Sequence, residues 1–461
     1  MRKELSRLLG AEHVLESPPP GSPYNRDSSN RRGIEGRADA VAVPGSAEQV
    51  AATVAWCYEH DVPIVPRGGG TGLTGGAVPT HGGLVLSLER LRGVRELEPG
   101  LWRLFAEAGV STRDVQRLAR ENGLMFAPDP GAAEQSQIGG NVATNAGGPH
   151  ALKYGVTGAW VAGLEVVLAP GELVALGGWA SKDVAGYDLR SLLVGSEGTL
   201  GVITAVRLRL LPAPEAAIAL VVLLSSRAEG CAAIMQVFAA GLRPSVLDFM
   251  DGPTLAALAR SYPGELPREP GFALICELDG SREEAQAARA QLLELLDGQA
   301  LAVHEPADPR ALWRWRDAAN PAVTAVRGGK VSEDVVFPLE CLAEGLDRFQ
   351  AIADAHGMRS CAWGHGGEGN VHATVLVDPD DDRDLDAAEA IGEQLFALVA
   401  ELGGSIAGEH GVGWHKRGRL ASQWHPRALA LHEEIKRVFD RKGLFNPETK
   451  LARYPARSLG I

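Results

Sequence analysis

The segment from residue 217 to residue 306 carries the pattern that most constrains the fold. Its strand-like and helix-like runs come in the order AIALVVLL, a helical run over 228–240, PSVLDFM, GFALICEL, a helical run over 281–296, and ALAVHEP. Short apolar runs rich in β-branched residues indicate strands, and apolar residues at helical spacing indicate helices. The order β-α-β-β-α-β predicts the split βαβ arrangement of a ferredoxin-like sheet. The second helix is predicted to open with a capping box of Ser281 and Glu284 and to stop at Gly298.

A separate α+β domain is predicted before this segment, ending at Pro212-Ala-Pro214. It contains the strands ADAVAVP and VPIVP around a helix over 47–59, and further strands around a helix over 112–122. After the ferredoxin-like segment, the strands SCAWG and NVHATVLV flank the turn GHGGEGNVH, and a long helix is predicted over 384–402. The acidic run DPDDDRDLD favours the positive end of that helix, which is a simpler reading than a metal loop.

Charge and cysteine usage exclude several classes of protein. Lys plus Arg number 45 against 58 for Asp plus Glu, a formal net charge of −13, which disfavours nucleic-acid partners and a polybasic membrane anchor. The five cysteines are scattered without a C-x-x-C pair, so neither a disulfide framework nor an iron–sulfur cluster is predicted. The N-terminal run lacks a signal-peptide core, and no apolar run approaches the roughly 18 residues of a membrane span. We therefore expect a cytoplasmic chain; peripheral association at the inner membrane face and a homodimer stay open.

Three glycine-rich loops lie in the first domain: PRGGGTGLTGG from Pro66, SQIGGNVATNAGGPHALKYGVTG from Ser136, and GYDLRSLLVGSEGTLGVIT from Gly186. Consecutive glycines let backbone N–H groups approach an anion such as a pyrophosphate. None of the loops matches a Walker loop or a Rossmann fingerprint. One such loop is more often an ordinary turn, but three in one domain favour an extended cofactor held along the backbone.

A possible metal centre lies in GHGGEGNVH and GSIAGEHGVGWHKR. Asn370 and His372 are two apart in a predicted strand and share a face, and the glycine turn could return His365 toward them. Glu409 and His410 follow another short strand. Two imidazoles and one carboxylate make a catalytic ligand set without sulfur, which favours Zn²⁺, Mn²⁺ or Fe²⁺. The alternative is that the histidines only close a hairpin.

These loops and motifs resemble the vanillyl-alcohol oxidase/p-cresol methylhydroxylase (PCMH) flavoprotein superfamily. The second half resembles its D-2-hydroxy-acid dehydrogenase branch, which includes D-lactate, glycolate and D-2-hydroxyglutarate enzymes. The resemblance runs from about Tyr24 to Leu451 and implies an α+β fold: a PCMH-type FAD-binding domain, a ferredoxin-like-sheet substrate (cap) domain, and a C-terminal segment that returns to the FAD domain. The implied bounds are 1–34 for an N-terminal segment, 35–213 for the FAD-binding domain, 214–425 for the substrate domain and 426–461 for the C-terminal helical segment.

The resemblance also implies which residues bind FAD. The pyrophosphate loop would comprise Pro66, Arg67, Gly68, Gly69, Gly70, Thr71, Gly72, Gly75 and Gly76; the flavin border Pro130, Gly131, Gly139, Gly140, Ala143, Thr144, Gly147 and Gly148; the adenosine side Glu197, Gly198, Gly201 and Ile203, with Asn446 near the flavin. Non-covalent FAD is expected because the first loop has no histidine or cysteine, although His150 leaves a covalent link open.

For the reaction, the resemblance implies His365, His372 and Glu409 as ligands of a divalent metal and His410 as general base. Asn370 would bind substrate or the flavin edge. Arg316 would clamp the substrate carboxylate, because a planar guanidinium suits bidentate contact, with Lys330 as a further cation. His410 could instead orient a metal ligand, and either cation could be an ordinary surface charge. Glu368 stands where relatives commonly have Asp.

The implied function is FAD-dependent oxidation of a D-2-hydroxy acid to the 2-oxo acid, by metal-assisted deprotonation of the hydroxyl and hydride transfer to flavin N5. The electron acceptor stays open among a quinone, a cytochrome, an electron-transfer flavoprotein and a partner subunit. Two alternatives remain at this level: an FAD-binding subunit of a multi-subunit glycolate-oxidase-type complex, and a non-redox metal hydrolase.

Overall fold

The computed structural model describes residues 1–267 and 270–451 of the chain; the last ten residues of the predicted C-terminal segment lie outside this part. The α-helices are α1 (Arg2–Leu9), α2 (Ala47–Glu59), α3 (Thr112–Glu121), α4 (Ile138–Thr144), α5 (Ala151–Tyr154), α6 (Thr157–Trp160), α7 (Leu189–Leu193), α8 (Arg227–Ala239), α9 (Gly252–Leu258), α10 (Arg282–Leu295), α11 (Pro309–Asp317), α12 (Ala319–Ala325), α13 (Leu342–Ala355), α14 (Asp382–Glu401), α15 (Leu420–Gln423) and α16 (Pro426–Phe439).

The β-strands are β1 (Val14–Glu16), β2 (Ala40–Ala42), β3 (Ile64–Arg67), β4 (Leu84–Ser87), β5 (Val94–Glu98), β6 (Arg103–Glu107), β7 (Leu124–Met125), β8 (Val161–Leu168), β9 (Glu172–Gly177), β10 (Val202–Arg209), β11 (Leu211–Pro212), β12 (Ala216–Leu224), β13 (Val246–Asp251), β14 (Phe272–Gly280), β15 (Ala302–His304), β16 (Gly329–Val336), β17 (Ser360–Gly364) and β18 (Asn370–Val377). The chain forms two compact units. Of the described residues, unit 1 comprises 1–147, 155–213 and 409–451, and unit 2 comprises 148–154, 214–267 and 270–408.

Unit 1 contains a four-stranded sheet in the order β1-β2-β4-β3 and a five-stranded sheet in the order β5-β6-β10-β8-β9. The helix predicted over 47–59 is α2, and the Ser46 side chain caps it by accepting from the Gln49 N–H. The C-terminal segment joins this unit: Phe445 is fully buried in a core with Ile64 and Leu84, and Ile64 N donates to the Leu444 carbonyl at 2.8 Å. A C-terminal return to the first domain is thus present.

Unit 2 contains a seven-stranded antiparallel sheet in the order β15-β12-β14-β13-β17-β18-β16. Its first four strands have the spatial order of a ferredoxin-like sheet, as the sequence predicted, and β17, β18 and β16 extend the β13 edge. The predicted capping box is present: Glu284 N donates to Ser281 Oγ at 3.2 Å and Ser281 N donates to Glu284 Oε2 at 2.8 Å. The fold prediction is confirmed. Helix α9, between β13 and β14, was not predicted; it begins at the Asp251 cap, directly after a buried strand.

Candidate active site

A turn in unit 2 brings His365 and His372 together. His365 follows β17, His372 lies in β18, and these two strands pair antiparallel. Gly369 has φ 68°, and a Cβ there would lie 2.0 Å from the Phe337 carbonyl oxygen, so the turn requires glycine. The ring centroids are 5.8 Å apart and the angle between the ring planes is 82°. One nitrogen of His365 lies within 4.8 Å of one nitrogen of His372. With exposures of 4% and 9%, the two imidazoles form a buried pair of nitrogen donors.

Asp248, which sequence reasoning missed, fixes one of these rings. Its Oδ1 lies 2.7 Å from His365 Nδ1, and its Oδ2 accepts from Arg316 Nε at 2.8 Å. Burial raises the pKa of the Asp248 carboxyl, but the charges of His365 and Arg316 outweigh burial and lower it overall. A carboxylate on Nδ1 favours a proton on that nitrogen, so in the neutral form of the ring Nε2 is the nitrogen without a proton. The available signal was one aspartate inside the apolar strand VLDFM, since a buried carboxylate needs partners.

Asn370 is held by a second aspartate that sequence reasoning missed. Its Nδ2 donates to Asp334 Oδ1 at 2.7 Å and to the Val335 carbonyl at 3.2 Å. The other Asp334 oxygen accepts from Gly408 N at 2.9 Å, and an Asp334 oxygen lies within 4.8 Å of a His372 nitrogen. The buried Asn370 Oδ1 has no hydrogen-bond partner in the described part of the chain. A buried acceptor left over beside two imidazoles is an expected feature of a site that binds a cation or a hydroxyl donor.

Four cations lie in the segment 313–338, the two predicted to contact the substrate carboxylate and two neighbouring arginines, and their surroundings differ. Arg316, on α11, is held by Asp248, and Lys330, on β16, has its Nζ 4.7 Å from the ring centroid of Trp363. The Trp363 ring centroid is itself 5.9 Å from that of His372. The Arg314 side chain is 69% exposed, whereas Arg327 pairs with Asp384 at 2.7 Å. Contacts within unit 2 therefore link Arg316 and Lys330, and neither of the other two, to the histidine pair.

The donor chemistry of unit 2 fits a divalent metal ion. It offers two imidazole nitrogens and carboxylate or amide oxygens but no thiolate, a set that suits Zn²⁺, Mn²⁺ or Fe²⁺. Cys276 and Cys361 are buried in the same unit, where burial raises the pKa of each thiol to about 12 and so disfavours thiolate ligands.

In unit 1, the first glycine loop is shaped by Arg67. This side chain is buried, and its Nη1 donates to the Arg26 and Ala77 carbonyls at 2.8 and 3.2 Å. Burial lowers the pKa of the guanidinium, partly offset by nearby Asp27. A Cβ on Gly69 would lie 2.0 Å from the Gln135 carbonyl oxygen, so the first loop packs directly on the segment that leads into the second. The Arg67 side chain thus supports the loop from within.

Two predicted flavin-border glycines, one just before the second loop and one within it, face open space. A Cβ on Gly131 or Gly140 would meet no described atom within 4 Å. Gly139 instead packs on Ala108, where its Cβ would come within 2.6 Å. The remaining predicted residues are tied to the loop backbone: Glu197 N donates to the Ala143 carbonyl, Thr144 Oγ1 donates to the Gly140 carbonyl, Gly198 packs on Pro66, Gly201 packs on Val167, and Ile203 is buried in β10. Open space beside backbone-lined loops fits FAD.

Glu197 occupies a left-handed conformation with φ 53° and is 6% exposed. Its Oε1 accepts from Val412 N at 3.0 Å and its Oε2 accepts from Gly413 N at 2.6 Å. Asn446 Nδ2 donates to the Gly76 and Glu197 carbonyls at 2.6 and 2.8 Å. Glu197 and Asn446 therefore connect the third loop, the first loop and the C-terminal segment within unit 1.

Glu409 and His410 open the last segment of unit 1. A Glu409 oxygen lies 3.6 Å from His410 Nε2, and their side chains are 18% and 28% exposed. A Cβ on Gly147 would lie 3.3 Å from Glu409 Oε2, so Glu409 lies against the second glycine loop. Thr74 Oγ1 donates to the His410 carbonyl at 3.3 Å. The residues predicted as base and as carboxylate ligand thus share one short segment that contacts the first and second glycine-rich loops.

His150, near the end of the second glycine loop, belongs to unit 2. Its Nε2 lies 2.9 Å from Glu277 Oε1, and Ser245 Oγ donates to the same oxygen at 2.9 Å. Burial raises the pKa of the Glu277 carboxyl, but the hydrogen bond and charge of His150 lower it overall. The imidazole is therefore engaged by a carboxylate.

Two family models match the chain. A model described as "FAD binding domain" matches residues 38–177, and one described as "FAD linked oxidases, C-terminal domain" matches residues 213–449. Solved structures of p-cresol methylhydroxylase and of 4-ethylphenol oxidase from Gulosibacter chungangensis superpose with a TM-score of 0.80 each. Each covers 98% of this chain, with 96% and 97% of the neighbour covered, at 17% and 19% identity. These structures establish a PCMH-type fold.

Curated relatives match over nearly the full length. Glycolate oxidase subunit GlcD of Bacillus subtilis (strain 168) is 33% identical over 457 residues, 98% of this chain and 97% of that protein. D-lactate dehydrogenase of Anaerostipes hadrus is 34% identical, covering 93% of each chain, and D-2-hydroxyglutarate dehydrogenase of Xanthomonas citri pv. viticola is 36% identical, covering 88% of each. With these matches added to the glycine loops and the histidine pair, the chain belongs to the FAD-linked oxidase family and is an FAD-dependent oxidoreductase.

Proposed function

We propose that this protein oxidises a D-2-hydroxy acid to the corresponding 2-oxo acid, with non-covalent FAD as the electron acceptor and a divalent metal assisting. The observation that carries the proposal is the linked pair of His365 and Arg316 on the Asp248 carboxylate. Asp248 orients an imidazole, which can bind a metal ion, and a guanidinium, which can bind a carboxylate. A 2-hydroxy acid presents a hydroxyl and a carboxylate on adjacent carbons, so it offers one group to each.

The proposed metal ligands are His365, His372 and Glu409. Support comes from the buried imidazole pair and from Asp334, which fixes the N–H of Gly408, the residue that directly precedes Glu409. When bound, the metal acidifies a coordinated hydroxyl, and FAD takes up the two electrons removed from the substrate carbon.

The roles of the side chains follow from this arrangement. Arg316, fixed through its Nε, presents a planar guanidinium to the substrate carboxylate. Asn370 is locked through its Nδ2, so its Oδ1 is available to accept a hydrogen bond from the substrate. His410 takes the hydroxyl proton, because a neutral imidazole is a suitable base near neutral pH. Lys330, held over Trp363, adds positive charge next to the site in a chain of net charge −13.

Non-covalent attachment of FAD is supported by His150. Its imidazole is engaged by Glu277, and the first glycine loop has no histidine or cysteine. No helix in the described residues is both long and apolar enough to cross a membrane. Since one relative is named a glycolate oxidase subunit, we propose a partner subunit as the first electron acceptor to test, ahead of a quinone, a cytochrome or an electron-transfer flavoprotein.

Anaerobic flavin bleaching tests the proposal. Purified protein is mixed with D-lactate, glycolate, D-2-hydroxyglutarate or the L-enantiomers, and absorbance near about 450 nm is followed before and after chelation. We expect glycolate or one of the D-acids, and neither L-enantiomer, to bleach the flavin rapidly, with the rate lost on chelation and restored by Zn²⁺, Mn²⁺ or Fe²⁺. A yellow protein that none of these acids bleaches contradicts the proposal and favours a flavin-binding subunit without its own hydroxy-acid activity. Bleaching that survives complete metal removal contradicts the metal's role alone.

Membership of the FAD-linked oxidases counts against the metal-hydrolase alternative, because a hydrolase has no use for three cofactor loops. The hydrolase alternative predicts a colourless protein that FAD cannot reconstitute.

A further inference from the structure

The segment 409–415 is held by all three glycine-rich loops of unit 1. From the first loop, the Thr74 hydroxyl donates to the His410 carbonyl at 3.3 Å, and the Thr74 carbonyl accepts from Trp414 N and His415 N at 2.8 and 3.1 Å. From the second, Gly147 leaves space for the Glu409 carboxylate. From the third, the Glu197 carboxylate accepts from Val412 N and Gly413 N. Loops that resemble cofactor-binding loops therefore also hold the segment with the proposed base.

Glu197 has the features of a built contact. It is buried, it keeps a φ of 53° that side-chain-bearing residues rarely adopt, and each carboxylate oxygen accepts from one backbone N–H. Lys450 Nζ lies 3.2 Å from the same carboxylate. The segment is shaped to receive it, because Gly411 has φ 82° and a Cβ there would lie 3.1 Å from Glu197 Oε1. Hydrogen bonds to an ionised acceptor are roughly twice as strong as neutral ones, so this contact restrains the segment at Val412 and Gly413.

Thr74 is the second restraint. A Cβ on Gly413 would lie 2.2 Å from the Thr74 carbonyl oxygen, so the segment crosses the first loop at backbone contact, and Gly413 adopts φ 54° to do so. One threonine thereby contacts the segment on both sides, through its hydroxyl before Gly411 and through its carbonyl after Gly413.

We propose that Glu197 and Thr74 are positioning residues that set the place of Glu409 and His410 relative to the cofactor loops. This inference rests on the proposed function of His410 as base and Glu409 as ligand. The loops then have two roles: they bind FAD, and they fix the position of the segment that performs proton transfer.

Hydrogen exchange tests the positioning directly and needs no substrate. In Glu197→Gln one carboxylate oxygen becomes an NH₂ group that cannot accept, so one of the Val412 and Gly413 amides loses its acceptor and should exchange at least roughly tenfold faster. Thr74→Val, which keeps the shape and removes the hydroxyl, should loosen the peptide 409–415, and Thr74→Ser should restore it. Matched controls are Glu107→Gln, whose carboxylate accepts from Gly93 N at 2.8 Å, and Thr53→Val, whose hydroxyl bonds the Gln49 carbonyl at 2.7 Å. Unchanged exchange in both Glu197→Gln and Thr74→Val overturns the inference.

Anaerobic reduction separates this inference from the proposed function. In the FAD-loaded variants, with each rate expressed per bound flavin, we expect a limiting rate of flavin reduction roughly 10- to 100-fold lower and an apparent substrate affinity within threefold, with Thr74→Ser close to the parent. Loss of FAD without loss of rate per bound flavin would overturn the positioning role and assign both residues to cofactor binding. Failure of the unsubstituted protein to be reduced by any hydroxy acid would refute the proposed function and leave the exchange result to decide the positioning.

Discussion

The Asp248 carboxylate lies 2.7 Å from the Nδ1 of His365, in the interior of unit 2. Its other oxygen holds Arg316. Asp248, a residue of β13, therefore orients two side chains: His365 in the turn between β17 and β18, and Arg316 on α11.

Replacing Asp248 with Asn should damage both functions of this contact. The amide keeps one acceptor oxygen, so either His365 or Arg316 loses its partner and faces an NH₂ group. We expect divalent-metal affinity to fall by about 10- to 100-fold, as for other residues that orient metal-binding histidines. The measurement is metal content by elemental analysis after dialysis against graded chelator. Asp347→Asn, at an exposed carboxylate of the same unit, serves as control, and equal metal retention in both variants would refute the role of Asp248.

Gly140→Ala should separate folding from cofactor binding. Gly140 lies inside α4, where alanine is favoured over glycine by roughly 1 kcal/mol, and the new methyl group meets no described atom within 4 Å. If FAD occupies that space, the apoprotein should melt at a slightly higher temperature while FAD affinity, measured by flavin fluorescence, falls at least about tenfold. Gly100→Ala, which also meets nothing within 4 Å, should leave FAD affinity unchanged. Full FAD affinity in Gly140→Ala would exclude FAD from this space.

Asp251 should make unit 2 less stable as pH rises. Burial raises the pKa of its carboxyl to about 6, against 3.8 in the unfolded chain, despite hydrogen bonds from Thr254 and Ala362 N. Between these values the folded state binds more protons, so stability is lost as pH rises through about 4 to 6, and the full shift corresponds to about 3 kcal/mol. Urea titrations at pH 4 to 8 give the free energy of unfolding of the parent and of Asp251→Asn. The free energy of the parent should fall relative to that of the variant as pH increases. A difference that is flat with pH would contradict this assignment.

Lys436→Met should destabilise unit 1. The Lys436 ammonium is buried with Asp440 at 2.5 Å and also donates to the Thr199 and Phe445 carbonyls. Burial lowers the pKa of Lys436, partly offset by Asp440. Removing one member of a buried pair costs about 3 to 5 kcal/mol, because the other charge is left uncompensated. Chemical denaturation should show this loss, whereas Arg437→Met, next to it but exposed and paired with Glu433 at 3.6 Å, should change stability by under about 1 kcal/mol. Similar losses in both variants would contradict the buried-pair account.

The sequence predicted the parts of the fold that are encoded locally. Helix α2 and the capping box of α10 follow from residues within a few positions of each other, and the order of the ferredoxin-like strands follows from the alternation of strand and helix. Helix α9 was missed because its seven residues are too few to show a helical period.

The site was predictable in its residue types but not in its supports. His365 and His372 lie seven residues apart around a glycine turn, so their proximity could be anticipated. Asp248 and His365 are separated by 117 positions, and Asp334 and Gly408 by 74, and no local pattern pairs residues at such separations. Glu197 was assigned by resemblance to the adenosine side, and its contact with Val412 spans 215 positions. That cofactor role stays a prediction beside the observed contact.

The division of the chain has a consequence for biosynthesis. Unit 1 is built from three separate stretches, and the bridge between Ile64 and Phe445 joins residues at opposite ends of the described chain. A polypeptide is synthesised from its N-terminus, so residues 1–147 cannot pack against the stretch that begins at Glu409 until all of unit 2 has left the ribosome. During synthesis the four-stranded sheet must therefore persist without the Leu444 and Phe445 side chains that complete its core, whereas unit 2, whose residues 214–408 are continuous, can fold first. A stop codon after residue 408 would release a complete unit 2 joined to a unit 1 that lacks the stretch beginning at Glu409.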